Sequence, residues 1–366
     1  MTLTQRSSQG WRLDWPTSSG RRFATARIKS LPADFFVDED LSLPGDITDG
    51  GEHLCLRLEK AGDNTDYVAR QLAAMSGCRH FDVGFCGLKD RHAVTRQWFS
   101  LYRPGMESED PEFTRQVAEH WLVLAQHRQA RKLRRGDHRG NRFELVLKDV
   151  VGDTADIDTA LARVRDLGCP NYFGSQRFGH GGANLDKALT MDPTKLNRRG
   201  GRNAKKRGRG RSTSGSSDTK NVLYFSAARS WLFNEVLAHR VENGTWLEPL
   251  EGEPGACENQ DLLITGPLWG DGGTEAVSVQ GEIERAVVAE HPQLAAVFST
   301  TRMKPERRPL KMKPEGFEWQ WQGNDQLRLT FWLAPGQYAT TMLDDVFDIT
   351  DATTFTGENC ANSVVQ

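Results

Sequence analysis

Leu54, Leu56 and Leu58 alternate with His53, Cys55 and Arg57, and this period of two predicts a strand with one buried face. Asn64 then precedes Val68, Leu72 and Met75 at helical spacing, and Gly77 follows. That pattern predicts a helix capped by the Asn side chain and closed by a glycine. A short apolar stretch, Val83 to Phe85, runs into Gly87-Leu88-Lys89-Asp90. Trp98 to Tyr102 and Arg142 to Val150 read as strands, the second with Phe143, Leu145 and Leu147 on one face. Ile157 to Leu167 reads as a helix ended by Gly168, and helical spacing returns at Ala228, Leu232, Val236 and His239. Leu327, Leu329, Phe331 and Leu333 alternate with Arg328, Thr330 and Trp332 in a further strand. Strands and helices intermix without a regular βαβ rhythm, so the class is α+β rather than doubly wound. No internal repeat is visible.

Between these segments, Gly200 to Ser217 is a low-complexity run of Gly, Arg, Lys and Ser that cannot bury enough apolar surface to fold alone, so an arm at about 198–217 is expected to be disordered. The 366 residues suffice for two domains and a sizeable core. With 37% hydrophobic and 26% charged residues, a soluble chain is expected. No apolar run approaches the ~20 residues that span a bilayer, so no membrane partner is expected. The segment Met1 to Leu13 is polar and lacks a signal-peptide core, which points to the cytoplasm. Six cysteines are scattered, and none forms a Cys-x-x-Cys pair; this favours reduced thiols over a disulfide framework or a zinc site.

The net charge of −2 does not announce a nucleic-acid binder, but its distribution is uneven. Arg198 to Arg211 holds eight basic residues and no acid, His127 to Arg142 seven Lys or Arg and one acid, and Arg302 to Lys313 six basic residues and one acid. Acids gather at Asp38 to Asp40 and Asp344 to Glu358. Each basic run alone reads equally as solvated surface; three of them favour a polyanionic partner.

Two segments could carry chemistry. Gly87-Leu88-Lys89-Asp90-Arg91-His92-Ala93 sets a carboxylate between two cations, in a loop between two predicted strands, where it could act as a nucleophile or base. Taken alone, Asp beside Lys and Arg is more often surface, and His92 reads first as a hydrogen-bonding loop residue. Cys86, Asp90 and His92 lack metal-ligand spacing with a fourth partner. Pro170 to Gly179 interleaves aromatics, amides and an arginine with glycines. Such residues stack bases, read base edges and bind phosphate, or else pack a tight turn. The glycines at 179, 181 and 182 fit neither a phosphate loop nor a dinucleotide fingerprint, so no ATP or NAD site is read.

At these segments the sequence resembles the tRNA pseudouridine synthase D family. The resemblance rests on blocks in order: Ala33-Asp34-Phe35-Phe36-Val37, Gly87 to Thr95, Gly140-Asn141-Arg142-Phe143, Pro170 to Gly179, Ser226 to Ser230, and Phe331-Trp332-Leu333-Ala334-Pro335-Gly336. It runs from about Lys29 to about Ile349. The resemblance implies isomerisation of uridine 13 of tRNA to pseudouridine without cofactor or metal, with Asp90 as the catalytic carboxylate. Phe35, Asn141 and Tyr338 are implied to line the substrate site. Where this chain has Tyr338 the family commonly has Phe, so the added hydroxyl needs a partner or water. Phe143 matches a phenylalanine that stands where other pseudouridine synthases use tyrosine.

The implied fold is a pseudouridine-synthase-like α+β catalytic domain with a mixed, largely antiparallel sheet, residues 1–167 and 313–366, interrupted by an inserted α+β domain at 168–312. The basic arm falls inside that insertion and is longer and more basic than is usual. Asp90 must be ionised to act, which asks for a nearby cation. In an extended loop Lys89 and Arg91 point away from Asp90. Lys29, near the first motif, is therefore the expected partner. The expected macromolecular partner is tRNA, and nothing in the sequence demands more than a monomer. The alternatives are a non-catalytic RNA-binding protein, a methyltransferase with a cysteine nucleophile, which would need a cofactor loop that is not seen, and a ribonuclease acting through His92 and Lys89.

Overall fold

A computed structural model describes residues 10–41, 50–191, 215–258, 261–299, 301 and 303–354. The basic arm from Arg198 to Arg211 lies outside the described residues. The chain divides into two compact units. One comprises Phe23–Asp166, Lys313–Ala339 and the segment from Phe347; the other comprises the segment up to Arg22, Leu167–Met312 and Thr340–Val346. This grouping moves two segments away from the division expected from sequence. Residues 10–22 and 340–346 join the insertion because Trp11 meets Trp231 edge-on at 5.0 Å, Trp15 stacks on Tyr172 at 5.6 Å, and the Asp345 carboxylate accepts from Ser18 N and Oγ at 2.7 and 2.6 Å.

The first unit is built on a ten-stranded sheet. Its strands are β1 (Ala24–Ile28), β2 (Phe35–Asp40), β3 (His53–Lys60), β4 (Gly84–Phe85), β5 (Val94–Tyr102), β6 (Leu122–Gln129), β7 (Gly140–Gly152), β8 (Glu315–Trp321), β9 (Leu327–Leu333) and β10 (Phe347–Asp351). The main path runs β8-β9-β7-β2-β5-β3-β6; β1 pairs with both β7 and β10, and β4 pairs with β5. Only the β1–β10 and β2–β5 pairings are parallel, so the sheet is mixed and largely antiparallel, in an α+β fold.

Local signals explain the elements. Asn64 Oδ1 accepts from Tyr67 N at 2.8 Å to start the helix Thr65–Ser76, and Gly77, at φ 71°, closes it in the left-handed conformation that favours glycine. Val68, Ala69, Leu72 and Ala73 of that helix pack on Leu54, Leu56 and Leu58. The strand β3 departs from its one-sided expectation. Cys55 is buried on the opposite face with Cys86, Trp98 and Leu133, because the chain around Leu133 covers that side. At the other edge, Trp319 and Trp321 both donate their Nε1 protons to Asp158 of the helix Thr154–Leu167, at 2.9 and 3.0 Å.

Register decides which residues share a face. Leu329, Phe331 and Leu333 stand opposite Leu145, Phe143 and Asn141, which in turn stand opposite Phe35, Val37 and Glu39. Val37 pairs with Thr95, and Thr95 and Gln97 pair with Lys60 and Leu58. One face is therefore apolar toward both edges and polar in the middle, where Glu39, Lys60, Thr95 and Gln97 are all buried. Burying such groups costs free energy unless they are bonded, so this stretch is specialised.

The second unit is organised around the helix Gly215–Glu242. Its Trp231, Leu232, Phe233 and Val236 are buried, and Phe233 meets Phe173 of the Pro170–Gly179 segment edge-on at 5.5 Å. Arg240 is fully buried within this unit and donates to the carbonyls of Thr245 and Glu248 and to Gln280 Oε1. No described helix is long and apolar enough to cross a membrane.

Candidate active site

The loop carrying Asp90 is held from beneath. Gln97 Nε2 donates to Gly87 O at 2.6 Å, and Lys89 N donates to Thr65 Oγ1 at 2.9 Å. Lys89 Nζ turns inward to Glu39 Oε2 at 2.6 Å, and Gly62 N donates to Arg91 O at 2.9 Å. The Glu39 side chain is fully buried and that of Lys89 is 6% exposed. Arg91 points outward and donates its Nε proton to His92 Nε2 at 2.8 Å. The two cations flanking Asp90 therefore diverge, and neither supplies its counter-charge.

Lys29 does. Its Nζ bonds Asp90 Oδ2 at 2.6 Å and Asp351 Oδ2 at 3.0 Å. The backbone N of His92 donates to the other Asp90 oxygen at 2.9 Å. Lys29 is 4% exposed at its side chain, whereas Asp90 is 33% exposed: the cation is sealed and the carboxylate is open. Lys29 also has φ 57°, a left-handed conformation that costs a non-glycine residue about 1–2 kcal/mol. Burial opposes charge on Lys29, Asp90 and Asp351, but the bonds and attractions among them, together with the hydrogen bonds from His92 N to Asp90 and from Thr353 to Asp351, outweigh it. Asp90 and Asp351 are held below the usual carboxylate range and Lys29 above the usual ammonium range.

Aromatic rings continue the cluster. Lys29 Nζ lies 5.0 Å from the centre of the Phe35 ring. Phe35 meets Phe143 edge-on at 6.4 Å, and Phe143 stacks on Phe331 at 5.1 Å. Phe35 is set by its neighbour Asp34, whose carboxylate accepts from Leu31 N at 2.8 Å and pairs with Lys148 at 2.8 Å. Asn141 lies two residues before Phe143 on the same face, and its Oδ1 is buried with no hydrogen-bond partner among the described residues. Gly140 before it is needed for packing, since a Cβ there would lie 2.2 Å from the Trp332 ring. Tyr338 is half-buried in the segment after Leu333, whose register partner is Asn141.

The structure thus joins Asp90, Lys29, Phe35 and Phe143 by direct contacts, and carries Asn141 near the start of β7, opposite Leu333 at the end of β9, with Tyr338 in the segment that follows β9. It also brings in Asp351, which the sequence reading left in an acidic tail. The signal for it was the pairing of β10 with β1, which no local pattern reports. Among the described residues, no group of three or more His, Cys, Asp or Glu is arranged to hold a metal ion.

The second unit settles the two readings of the Pro170–Gly179 segment in favour of a packed turn for most of its side chains. Asn171 donates to Pro309 O at 2.9 Å and accepts from Arg308 at 2.6 Å. Tyr172, Phe173 and Phe178 are buried. Arg177 donates to Ser226 Oγ and to Ser230 Oγ, which explains the serines of the Ser226–Ser230 block. Basic residues divide likewise. Arg128 is buried against Asp110 at 2.6 Å, and Arg307 pairs with Glu284 at 2.8 Å. Arg131, Arg134, Arg135, Arg139 and Arg142 are exposed, as are Lys304, Lys311 and Lys313.

Comparison with known proteins bears on this site. The family model described as tRNA pseudouridine synthase D matches residues 19–185 and 254–346. A relative from Marinobacter nauticus named tRNA pseudouridine synthase D is 55% identical over 351 residues, covering 93% of this chain and 96% of its own. Another of that name, from Vibrio parahaemolyticus, is 37% identical, with 90% of this chain and 94% of its own covered. The crystal structure of a Methanosarcina mazei protein assigned as a tRNA pseudouridine synthase D superposes with a TM-score of 0.65 at 18% identity, over 92% of this chain and 97% of that one, which bears on the fold alone.

Proposed function

The chain belongs to the tRNA pseudouridine synthase D family, and from that premise we infer that it isomerises a uridine of tRNA, at position 13, to pseudouridine, with Asp90 as the catalytic carboxylate. The observation that carries the role of Asp90 is a part-open carboxylate bonded at 2.6 Å to a sealed lysine, beside the Phe35–Phe143 pair. The unit built on the ten-stranded sheet is then the catalytic domain, and Leu167–Met312 the inserted one.

The reaction needs no external reactant. The bond from ribose C1′ to uracil N1 breaks, its electron pair leaving with the base. The base turns and C5 bonds C1′; C5 loses a proton and N1 carries one in the product, so substrate and product are isomers. The target base must first leave its stack, at a cost of a few kcal/mol. Phe35 and Tyr338 offset this by stacking, worth ~1–3 kcal/mol each. Phe143, edge-on to Phe35, keeps that ring in place. Asn141 Oδ1, which has no partner among the described residues, is an acceptor for an N–H of the uracil edge.

Lys29 keeps Asp90 ionised at neutral pH, and each Asp90 oxygen retains a lone pair for the substrate beyond those given to Lys29 and His92 N. The exposed arginines between 131 and 142 meet phosphate, which supplies affinity without chemistry.

Asp90→Asn tests the reading, because it preserves shape and removes the charge. Pseudouridine formation on a tRNA transcript is expected to fall by about 10²–10⁴-fold or more, with tRNA affinity nearly unchanged. Turnover close to wild type would leave the protein an RNA binder or a catalyst of another kind.

A further inference from the structure

We propose that Asp351 is a positioning residue for the reaction at Asp90, holding the Lys29 ammonium as its second carboxylate partner so that Lys29 stays paired when the charge of Asp90 is consumed. The proposal rests on the reading of Asp90 as the catalytic carboxylate. It concerns a residue beyond the segments 19–185 and 254–346 that match the family model.

Backbone pairing brings Asp351 to this place. The strand β10 runs parallel to β1, with Ile28 opposite Asp351, so Lys29 follows directly on the residue that Asp351 faces. The carboxylate is then fixed at both oxygens. Oδ2 accepts from Lys29 Nζ at 3.0 Å, and Oδ1 accepts from Thr353 N at 3.0 Å and Thr353 Oγ1 at 2.6 Å. Of the three charged side chains, Lys29 is the deepest, at 4% exposure against 33% for Asp90 and 22% for Asp351. Lys29 is thus the group least able to exchange a lost partner for water.

Charge conservation gives the arrangement its consequence. In the resting site one ammonium faces two carboxylates. When Asp90 bonds carbon its negative charge passes to the departing uracil, and when it takes a proton the charge passes to the group that gave the proton up; either way one carboxylate remains in contact with Lys29. With Asp351 present, that contact is a neutral Lys29–Asp351 pair. Without it, the sealed ammonium has no carboxylate in contact, a costly arrangement. The cost falls on states in which Asp90 is neutral and not on the resting enzyme, so it raises the barrier of the chemical step. The attractions that act on Lys29 come from Asp90 and Asp351, so once Asp90 is neutral it is Asp351 that faces the ammonium. Asp351 also leaves Asp90 less tightly claimed, since Lys29 is shared.

The test is a double-mutant cycle of Asp351→Asn and Lys29→Met, read as single-turnover rate constants with enzyme in excess over a tRNA transcript, with half-saturating enzyme concentration and melting temperature measured alongside. Asp351→Asn is expected to lower the rate constant roughly 10–100-fold, and half-saturation to move less than about twofold. In the Lys29→Met background the same substitution is expected to change the rate less than about threefold, because there is no ammonium left to strand. Asp351→Glu is expected to recover part of the loss. An equal loss in both backgrounds would overturn the proposal. So would a loss that tracks melting temperature and is not eased by Asp351→Glu, since both describe a residue that only supports the fold. Wild-type rates in Asp351→Asn with an inactive Asp90→Asn would refute the role of Asp351 and leave that of Asp90 standing. An active Asp90→Asn would remove the reading beneath both.

Discussion

Lys29 and Lys60 are both buried near Asp90, and their surroundings push them in opposite directions. Lys29 has two carboxylates within bonding distance, which overcome its burial. Lys60 donates to the carbonyl of Asp63, and burial, outweighing attraction from Asp63 and Asp90, pushes it down to about 8. The unfolded chain holds the Lys60 proton more tightly than the folded one, so this group destabilises the fold below about pH 8, and stability recovers as pH rises toward the ordinary lysine value. Lys29 does the reverse. Its contribution is complete below the ordinary lysine value and is lost as pH climbs through its raised one. The melting temperature of Lys60→Met, relative to wild type, is therefore expected to be highest near pH 7 and to decline between pH 8 and 10. A difference that stays flat with pH would show that Lys60 is not strained in this way. At this scale Lys29 could be proposed from sequence because Asp90 required a cation and its neighbours pointed away. Asp351 could not, since its carboxylate is one of many in an acidic stretch until β10 pairs with β1.

The loop from Gly87 to His92 is as rigid as its supports. Glu39 on β2, Gln97 on β5 and Thr65 at a helix start each bond it, and each lies in a different element. The Glu39–Lys89 pair is the costliest to disturb, because both side chains are sealed. Lys89→Met leaves a buried carboxylate without its cation and is expected to destabilise the protein by about 3–5 kcal/mol, read as a shift in the urea midpoint. The double variant Glu39→Gln/Lys89→Met is expected to recover much of that loss, since no charge is left behind. No recovery would mean that the pair is not an isolated unit. The sequence pattern placed the capped helix from Thr65 and the end of β5 at Tyr102, while β5 begins at Val94 and not at the expected Trp98. It could not say that Lys89 turns inward while Arg91 turns out, because alternation assigns sides only relative to a core not yet known. The same holds for Pro170 to Gly179, where the residue types of an RNA site are the residue types of a packed turn, and the partners Asn234, Ser226 and Arg308 decide between them.

Net charge says little about how the whole molecule meets a polyanion. Of the basic residues in the run from His127 to Arg142, Arg128 is consumed in an internal ion pair, whereas Arg131, Arg134 and Arg135 are exposed. The loop that bears them is tied to the loop of Asp90, Gly136 N donating to Cys86 O at 2.9 Å. Phosphates bound there would stand on a loop that is bonded to the start of the Asp90 loop. Replacing Arg131, Arg134 and Arg135 together by Ala is expected to flatten the plot of log affinity against log salt by about 2–3, with the same single-turnover rate at saturation. An unchanged slope would assign these arginines to solvent.

From sequence alone come the α+β class, the strands and helices marked by their own periodicity and caps, and, through motifs in order, the family. These are local signals, written within a few residues of where they act. Tertiary structure alone decided which charges meet. Lys29 and Asp90 are 61 residues apart, and Lys29 and Asp351 are 322 apart. Whether a basic run is surface or scaffold, and whether a carboxylate is open or sealed, depends on what the sheet lays over it. That is settled by register and packing between distant strands, a property no short window of residues contains.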